Sequence, residues 1–353
     1  MDILCFILSF TVIFKTSTAQ MVPAVFMFGD SLVDVGNNNH LPVSFAKANF
    51  PHNGIDFPNK KATGRFSNGK NAADFIAEKV GLPTSPPYKS LPSNNVSAFI
   101  TGVSFASGGA GIFNTSDLTL GQAIPLTQQV GEYESIHGHM VQHLGASGAE
   151  KMLSKSLFCI VIGSNDIFGY SNSSDHNEVT SQQYVDSMTL TLKELITRIH
   201  NTGGRKFFVA GVPPVGCTPA IRSKQKFGVC NEEINSIAAY YNGKLISMLH
   251  ELTSALNGLT YSYFNTYTSL DDITHNPSSY GFTEVKAACC GLGTLNAQFP
   301  CTPISKLCSN RSSHVFWDLY HPTEAAARII VDNLFDGPSH FSTPFNLRHL
   351  ITS

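Results

Sequence analysis

Ala24-Val25-Phe26-Met27-Phe28 is an unbroken apolar run that stops at Gly29, and Asp30-Ser31-Leu32 come directly after it. A short run of this kind, closed by glycine, suits a strand covered on both faces rather than a half-exposed one. The pattern returns downstream. Residues 100–105 run to Ser107-Gly108-Gly109, residues 157–162 to Gly163, and residues 206–210 (KFFVA) to Gly211-Val212-Pro213-Pro214. Residues 259–264 alternate tyrosine with smaller side chains. Between the runs lie stretches with apolar residues at helical spacing: 71–80, 122–143, 181–200, 231–256 and 323–335, the last preceded by Pro322, which suits a first helical turn. Strands alternating with helices require right-handed crossovers. The chain therefore predicts a parallel sheet of about five strands with helices on both faces, a three-layer α/β/α arrangement. No repeat or low-complexity linker divides it, so residues 20–353 read as one domain.

Composition bounds the function. Of 353 residues 42% are hydrophobic and 14% charged, enough apolar material for a large core and too little charge for a disordered chain. The formal net charge is -2 and no Lys/Arg run stands out, which argues against a nucleic-acid partner. Residues 3–14 are almost all apolar, too short a stretch to span a bilayer, and Lys15 and Ser17-Thr18-Ala19 lie just beyond. That reads as a secretory signal peptide over residues 1–19, cut before Gln20, although no basic residue precedes the apolar run. No later run suggests a stable membrane anchor, and the C-terminus carries neither a lipid-anchor nor a KDEL-type signal. Asn95, Asn114, Asn172 and Asn310 have the form of glycosylation acceptors. If Cys5 leaves with the signal, Cys159 reads as a buried free thiol inside an apolar run. Cys217, Cys230, Cys289, Cys290, Cys301 and Cys308 remain, with Cys217–Cys230 the favoured local pair and the others open. Zinc is the poorer reading, since no C-x-x-C pair occurs.

In an open parallel sheet, ligands bind beyond the carboxyl ends of the strands. The residues just past each run are therefore informative: Ser31 after the first, Gly108-Gly109 after the second, Gly163-Ser164-Asn165-Asp166 after the third, and, near the end, Asp318-Leu319-Tyr320-His321. Each piece alone is more often a turn or a cap. In this order they form the inventory for acyl transfer. A serine hydroxyl needs a base, which His321 supplies. The base needs an acceptor to fix its tautomer, and Asp318 lies three residues earlier. An oxyanion needs preorganised donors, for which the Ser31 N–H, an N–H in the Gly108-Gly109 turn and the Asn165 amide are available.

These residues resemble the plant-type GDSL esterase/lipases, a branch of the SGNH hydrolases. The segments that carry the likeness are Phe28-Gly29-Asp30-Ser31-Leu32-Val33-Asp34 with Gly36-Asn37-Asn38-Asn39, residues 102–111, Ile162-Gly163-Ser164-Asn165-Asp166 and residues 316–324. Residues 287–291 and 211–217 are typical of the plant branch, and the likeness runs from about residue 26 to 334. The resemblance implies a flavodoxin-like fold. It implies Ser31 as nucleophile, Asp318 as orienter and His321 as base. It also implies Ser31, Gly109 and Asn165 as oxyanion donors, with Gly108 the alternative to Gly109. The family usually has asparagine where this chain has Ser104, a departure that touches loop support. The expected substrate is an ester: a lipid, a cutin or wax-type ester, or an acetylated carbohydrate, met in the apoplast or cell wall. No cofactor or metal is implied.

Other readings compete. The same site could transfer acyl groups to a sugar or lipid hydroxyl, or the chain could be a secreted binding glycoprotein without turnover. No G-x-S-x-G elbow occurs. His137, His139 and His143 suit a solvated helix face better than a metal site, and Tyr261, Tyr263 and Tyr267 suit packing better than a substrate groove. Pocket depth is expected to depend on residues 41–62 and 114–125.

Overall fold

A computed structural model describes residues 19–92, 96–114, 120–173 and 178–353. The expected leader, Ala19 apart, and Asn95 lie outside the described residues. In chain order the elements are β1 (Val25–Gly29), α1 (Ala72–Lys79), α2 (Leu126–Leu144), α3 (Ala146–Leu153), β2 (Leu157–Val161), α4 (Ser164–Asn172), α5 (Ser181–Asn201) and β3 (Lys206–Ala210). Next come α6 (Pro219–Arg222), α7 (Glu232–Ala255), β4 (Thr260–Phe264), α8 (Thr266–His275), β5 (Glu284–Ala288), β6 (Cys290–Gly291), β7 (Lys306–Leu307), β8 (His314–Phe316), α9 (Glu324–Asp336), β9 (Ser342–Thr343) and α10 (Leu347–Thr352). The main sheet has five strands in the order β1-β2-β3-β4-β9. β1 to β4 run parallel, with Val25 opposite Leu157, Leu157 opposite Lys206 and Lys206 opposite Thr260.

Side chains alternate across this sheet, as the strand repeat of two requires. Phe26, Phe28, Phe158, Ile160, Phe207 and Val209 pack with apolar residues of α2, α5 and α7. Val25, Met27, Leu157, Cys159, Phe208 and Phe264 pack with α1, α9 and α10. Helices thus cover both faces, and each fully buried large side chain contributes roughly 1.5–3 kcal/mol relative to exposure. Tyr261 and Tyr263 belong to the first of these cores. Cys159 is a free, buried thiol, and burial pushes its pKa up.

Two expectations need correction. Residues 100–105 form no strand of the main sheet. They lie extended against β1, where Met27 N–H donates to Val103 O at 2.9 Å and Phe105 N–H to Met27 O at 2.8 Å. On their other side stand Pro86 and Pro87, which have no N–H to extend a ladder, and only single bridges form at Ser104. The fifth strand is instead β9, antiparallel to β4. Pro322 also lies outside α9: it bridges Phe316, and Thr323 caps the helix by accepting from Ala326 N–H.

Asn114, Asn172 and Asn310 are exposed. The disulfides are Cys217–Cys230, as favoured from the sequence, with Cys289–Cys308 and Cys290–Cys301. Among the described residues no helix is long and apolar enough to cross a membrane, and no group of three metal-ligating side chains occurs.

Candidate active site

Ser31 sits just past the carboxyl end of β1. Gly29 allows β1 to end there: a Cβ on it would lie 2.2 Å from Val161 O on the neighbouring strand. The chain then turns tightly. Leu32 N–H donates to Asp30 Oδ1 at 3.0 Å, and Asp34 N–H donates to Asp30 O at 3.0 Å. Ser31 rides on this turn, and its own N–H has no partner among the described residues.

His321 arrives from the other end of the chain on the turn after β8. Asp318 Oδ1 accepts the N–H groups of Tyr320 and His321, each at 3.0 Å, and so shapes that turn. The same carboxylate meets imidazole Nδ1 at 2.7 and 2.9 Å. A carboxylate only accepts, so Nδ1 carries the proton and Nε2 is left as an acceptor. Nε2 lies 2.7 Å from Ser31 Oγ, across 290 residues of sequence. Burial pulls the Asp318 carboxyl upward, but the charge and hydrogen bond of His321 and two backbone N–H groups outweigh it and hold its pKa below the ordinary value. Behind this turn, Trp317 N–H donates to His321 O at 2.7 Å, and the fully buried Trp317 ring packs with Cys289, Cys290 and Cys301. Two disulfides thereby brace the segment that carries both Asp318 and His321. The Phe66 ring lies 4.9 Å from the imidazole.

The glycine turn approaches from the third side. Gly108 N–H is committed to Asp34 Oδ2 at 3.0 Å. Gly109, at φ +80°, has an N–H with no partner among the described residues. Asn165 stands in the first turn of α4, where the helix dipole favours negative charge. One of its Nδ2 hydrogens goes to Ala110 O at 2.8 Å, leaving the second to point elsewhere.

Sequence reasoning missed the supports. Fully buried Asp166 accepts from Ile112 N–H at 2.9 Å and Phe113 N–H at 3.2 Å, tying the glycine loop to α4. Buried Asp34 accepts from Gly36, Asn37 and Gly108 N–H groups, and Asn38 Nδ2 donates to Gly108 O at 2.8 Å. The signal was present, since Asp34 and Asn37-Asn38 stand a few residues after Ser31. Their partners 70 or more residues away were not legible. Ser104 has a buried hydroxyl without a partner among the described residues, and its carbonyl accepts from Asn37 Nδ2 at 2.8 Å, so backbone supplies the support there.

A model of the GDSL-like lipase/acylhydrolase family matches residues 25–334. The chain belongs to that family. One GDSL esterase/lipase of Arabidopsis thaliana is 53% identical over 347 residues, spanning 96% of this chain and 92% of its own. Two others are 36% identical over 334 residues and 39% identical over 344, each spanning more than nine-tenths of both chains.

In this GDSL-like acylhydrolase burial raises the pKa of two carboxyls near the site, Asp34 to about 6 and Asp30 further. Burial raises the Asp30 pKa to about 7, against the Leu32 N–H and nearby His321, which lower it, and with Asp166, which raises it. Because the folded value exceeds that of an unfolded aspartate, the native state holds this proton more tightly. The contribution of this one group to stability is therefore full below about pH 4 and is lost as pH rises through about 7, by on the order of a few kcal/mol. Asp30→Asn keeps an acceptor for Leu32 N–H. It is expected to flatten the decline in urea-unfolding free energy between pH 5 and 8 by about 1–3 kcal/mol. Equal pH slopes for variant and parent would contradict this.

Proposed function

We propose that this chain hydrolyses carboxylic esters through an acyl-enzyme on Ser31. The observation that carries the reading is the 2.7 Å contact between Ser31 Oγ and His321 Nε2, with Nδ1 held by Asp318. Nε2 takes the Oγ proton as Oγ attacks the ester carbonyl carbon. The carbonyl oxygen becomes an oxyanion facing the N–H groups of Ser31 and Gly109 and the Asn165 amide. The imidazolium, held by the Asp318 carboxylate, then gives its proton to the leaving alkoxide as the C–O bond breaks. Water repeats the sequence on the acyl-serine: it loses a proton to Nε2, attacks the carbonyl carbon and releases the acid as the proton returns to Oγ.

The family and the esterase/lipase names of the relatives support an ester substrate; a lipid, a cutin or wax-type ester or an acetylated carbohydrate is the class we propose. The disulfides support folding in an oxidising compartment and hence export to the cell exterior. The exposed Asn114, Asn172 and Asn310 fit glycan attachment there. Residues 20–353 form the hydrolase unit in this reading.

A panel of p-nitrophenyl esters of graded chain length, run beside acetylated sugars, tests the reading. Turnover of at least one class is expected, and none on any would remove it. Asn165→Ala should lower kcat by roughly 10²–10³-fold with KM little changed. An unaltered kcat would take Asn165 out of the oxyanion site.

A further inference from the structure

The hydrogen-bond ladder between β1 and the segment that begins at residue 100 loses one rung at Gly29, two residues before Ser31. Val25 N–H donates to Thr101 O and Met27 N–H to Val103 O, while Phe105 N–H and Ser107 N–H return to Met27 O and Gly29 O. The next rung would carry Gly29 N–H to Phe105 O. Instead Gly29 N–H donates to Oε1 of Gln129 at 2.9 Å. Nε2 of the same amide donates to Gly29 O at 2.8 Å and to Ile124 O at 2.7 Å. Ile124 N–H in turn donates to Ser107 Oγ at 3.0 Å, and Ser107 Oγ donates to Asn38 Oδ1. Gln129 lies in the first turn of α2 and is fully buried.

We propose that Gln129 is a positioning residue for acyl transfer, its side-chain amide standing in for the Phe105 carbonyl as acceptor for Gly29 N–H. The reach of the effect comes from the chain itself. Ser31 lies two residues beyond Gly29, and Gly109 two residues beyond Ser107. Ser107 N–H already ties the two segments at Gly29 O, and the amide adds the second tie, through Ile124 to Ser107 Oγ, that restrains the spacing between the Ser31 and Gly109 N–H groups. A glutamine makes this contact because its amide carries both an acceptor and two donors. In the buried setting each group left unmatched is costly, so the network has one arrangement rather than several. The inference rests on the Ser31 acyl-enzyme reading.

Gln129→Met keeps the length and removes every hydrogen bond. Gln129→Glu keeps the acceptor for Gly29 N–H and loses both donors. For folded protein, kcat on p-nitrophenyl acetate is expected to fall about ten- to a hundredfold in the methionine variant and less in the glutamate variant, with KM within about twofold. Affinity for an alkylboronic acid, whose adduct on Ser31 is tetrahedral, should fall by the same factor as kcat/KM. A purely structural role would lower Tm and leave kcat and boronate affinity within about twofold of the parent. That result in either folded variant overturns the proposal, and if the methionine variant does not fold, the glutamate variant carries the test. A parent protein that neither turns over esters nor binds the boronate would overturn the acyl-enzyme reading, and the proposal with it.

Discussion

Ser31→Ala is expected to lower kcat/KM on short p-nitrophenyl esters by about 10⁴-fold or more, while thermal unfolding stays within a degree or two of the parent. The effect is large because, in the mechanism we propose, Ser31 Oγ is the nucleophile, and His321 Nε2 contacts it. Without Oγ, hydrolysis must proceed by direct attack of water, helped only by the oxyanion donors and by substrate binding. The stability effect is small because Ser31 is only partly buried and its hydroxyl is held by the 2.7 Å contact to His321 rather than by the core. Activity assays and calorimetry on the same preparation separate the two. A folded variant retaining a tenth of parental activity would show that another group carries the chemistry.

Asp318→Asn should cost about 10³–10⁴-fold in kcat for a different reason. Asparagine keeps an oxygen able to accept from the Tyr320 and His321 N–H groups, so the turn survives. At the other position, 2.9 Å from Nδ1, it places an NH₂ group where an acceptor stood. The retained oxygen, 2.7 Å from Nδ1, still accepts the ring proton, so Nε2 stays an acceptor. What is lost is the negative charge that stabilises the imidazolium formed during attack. Steady-state kinetics check this. A loss below about tenfold would contradict the assignment.

The strand residues were legible because β1 to β4 are short, apolar and closed by glycine or a turn, a pattern that needs no tertiary information. Residues 100–105 share that pattern and are nonetheless not a strand. Their apolar character reflects burial against β1, while their pairing is limited to single bridges at Ser104, to Met27 and to Pro87, which local sequence does not reveal. β9 is two residues long and polar, with nothing to mark it. Ser31, Asn165, Asp318 and His321 could be picked out because each stands just after a strand or just before a helix in a motif of its own. Gln129 could not. It looks like one polar residue among several on an amphipathic helix, and its importance comes from a backbone gap 100 residues away. The same holds for Asp166, whose carboxylate faces the N–H groups of Ile112 and Phe113 over a separation of more than 50 residues.

The most direct measurement of the pairing between Ser31 and His321 is labelling with a fluorophosphonate, then peptide mapping of the adduct. The probe's phosphorus is attacked only by a hydroxyl whose proton a neighbouring base removes. A single adduct on Ser31, lost in His321→Ala, is the predicted result. No adduct on the folded parent protein, an adduct on another serine, or labelling of Ser31 undiminished without the imidazole would contradict it.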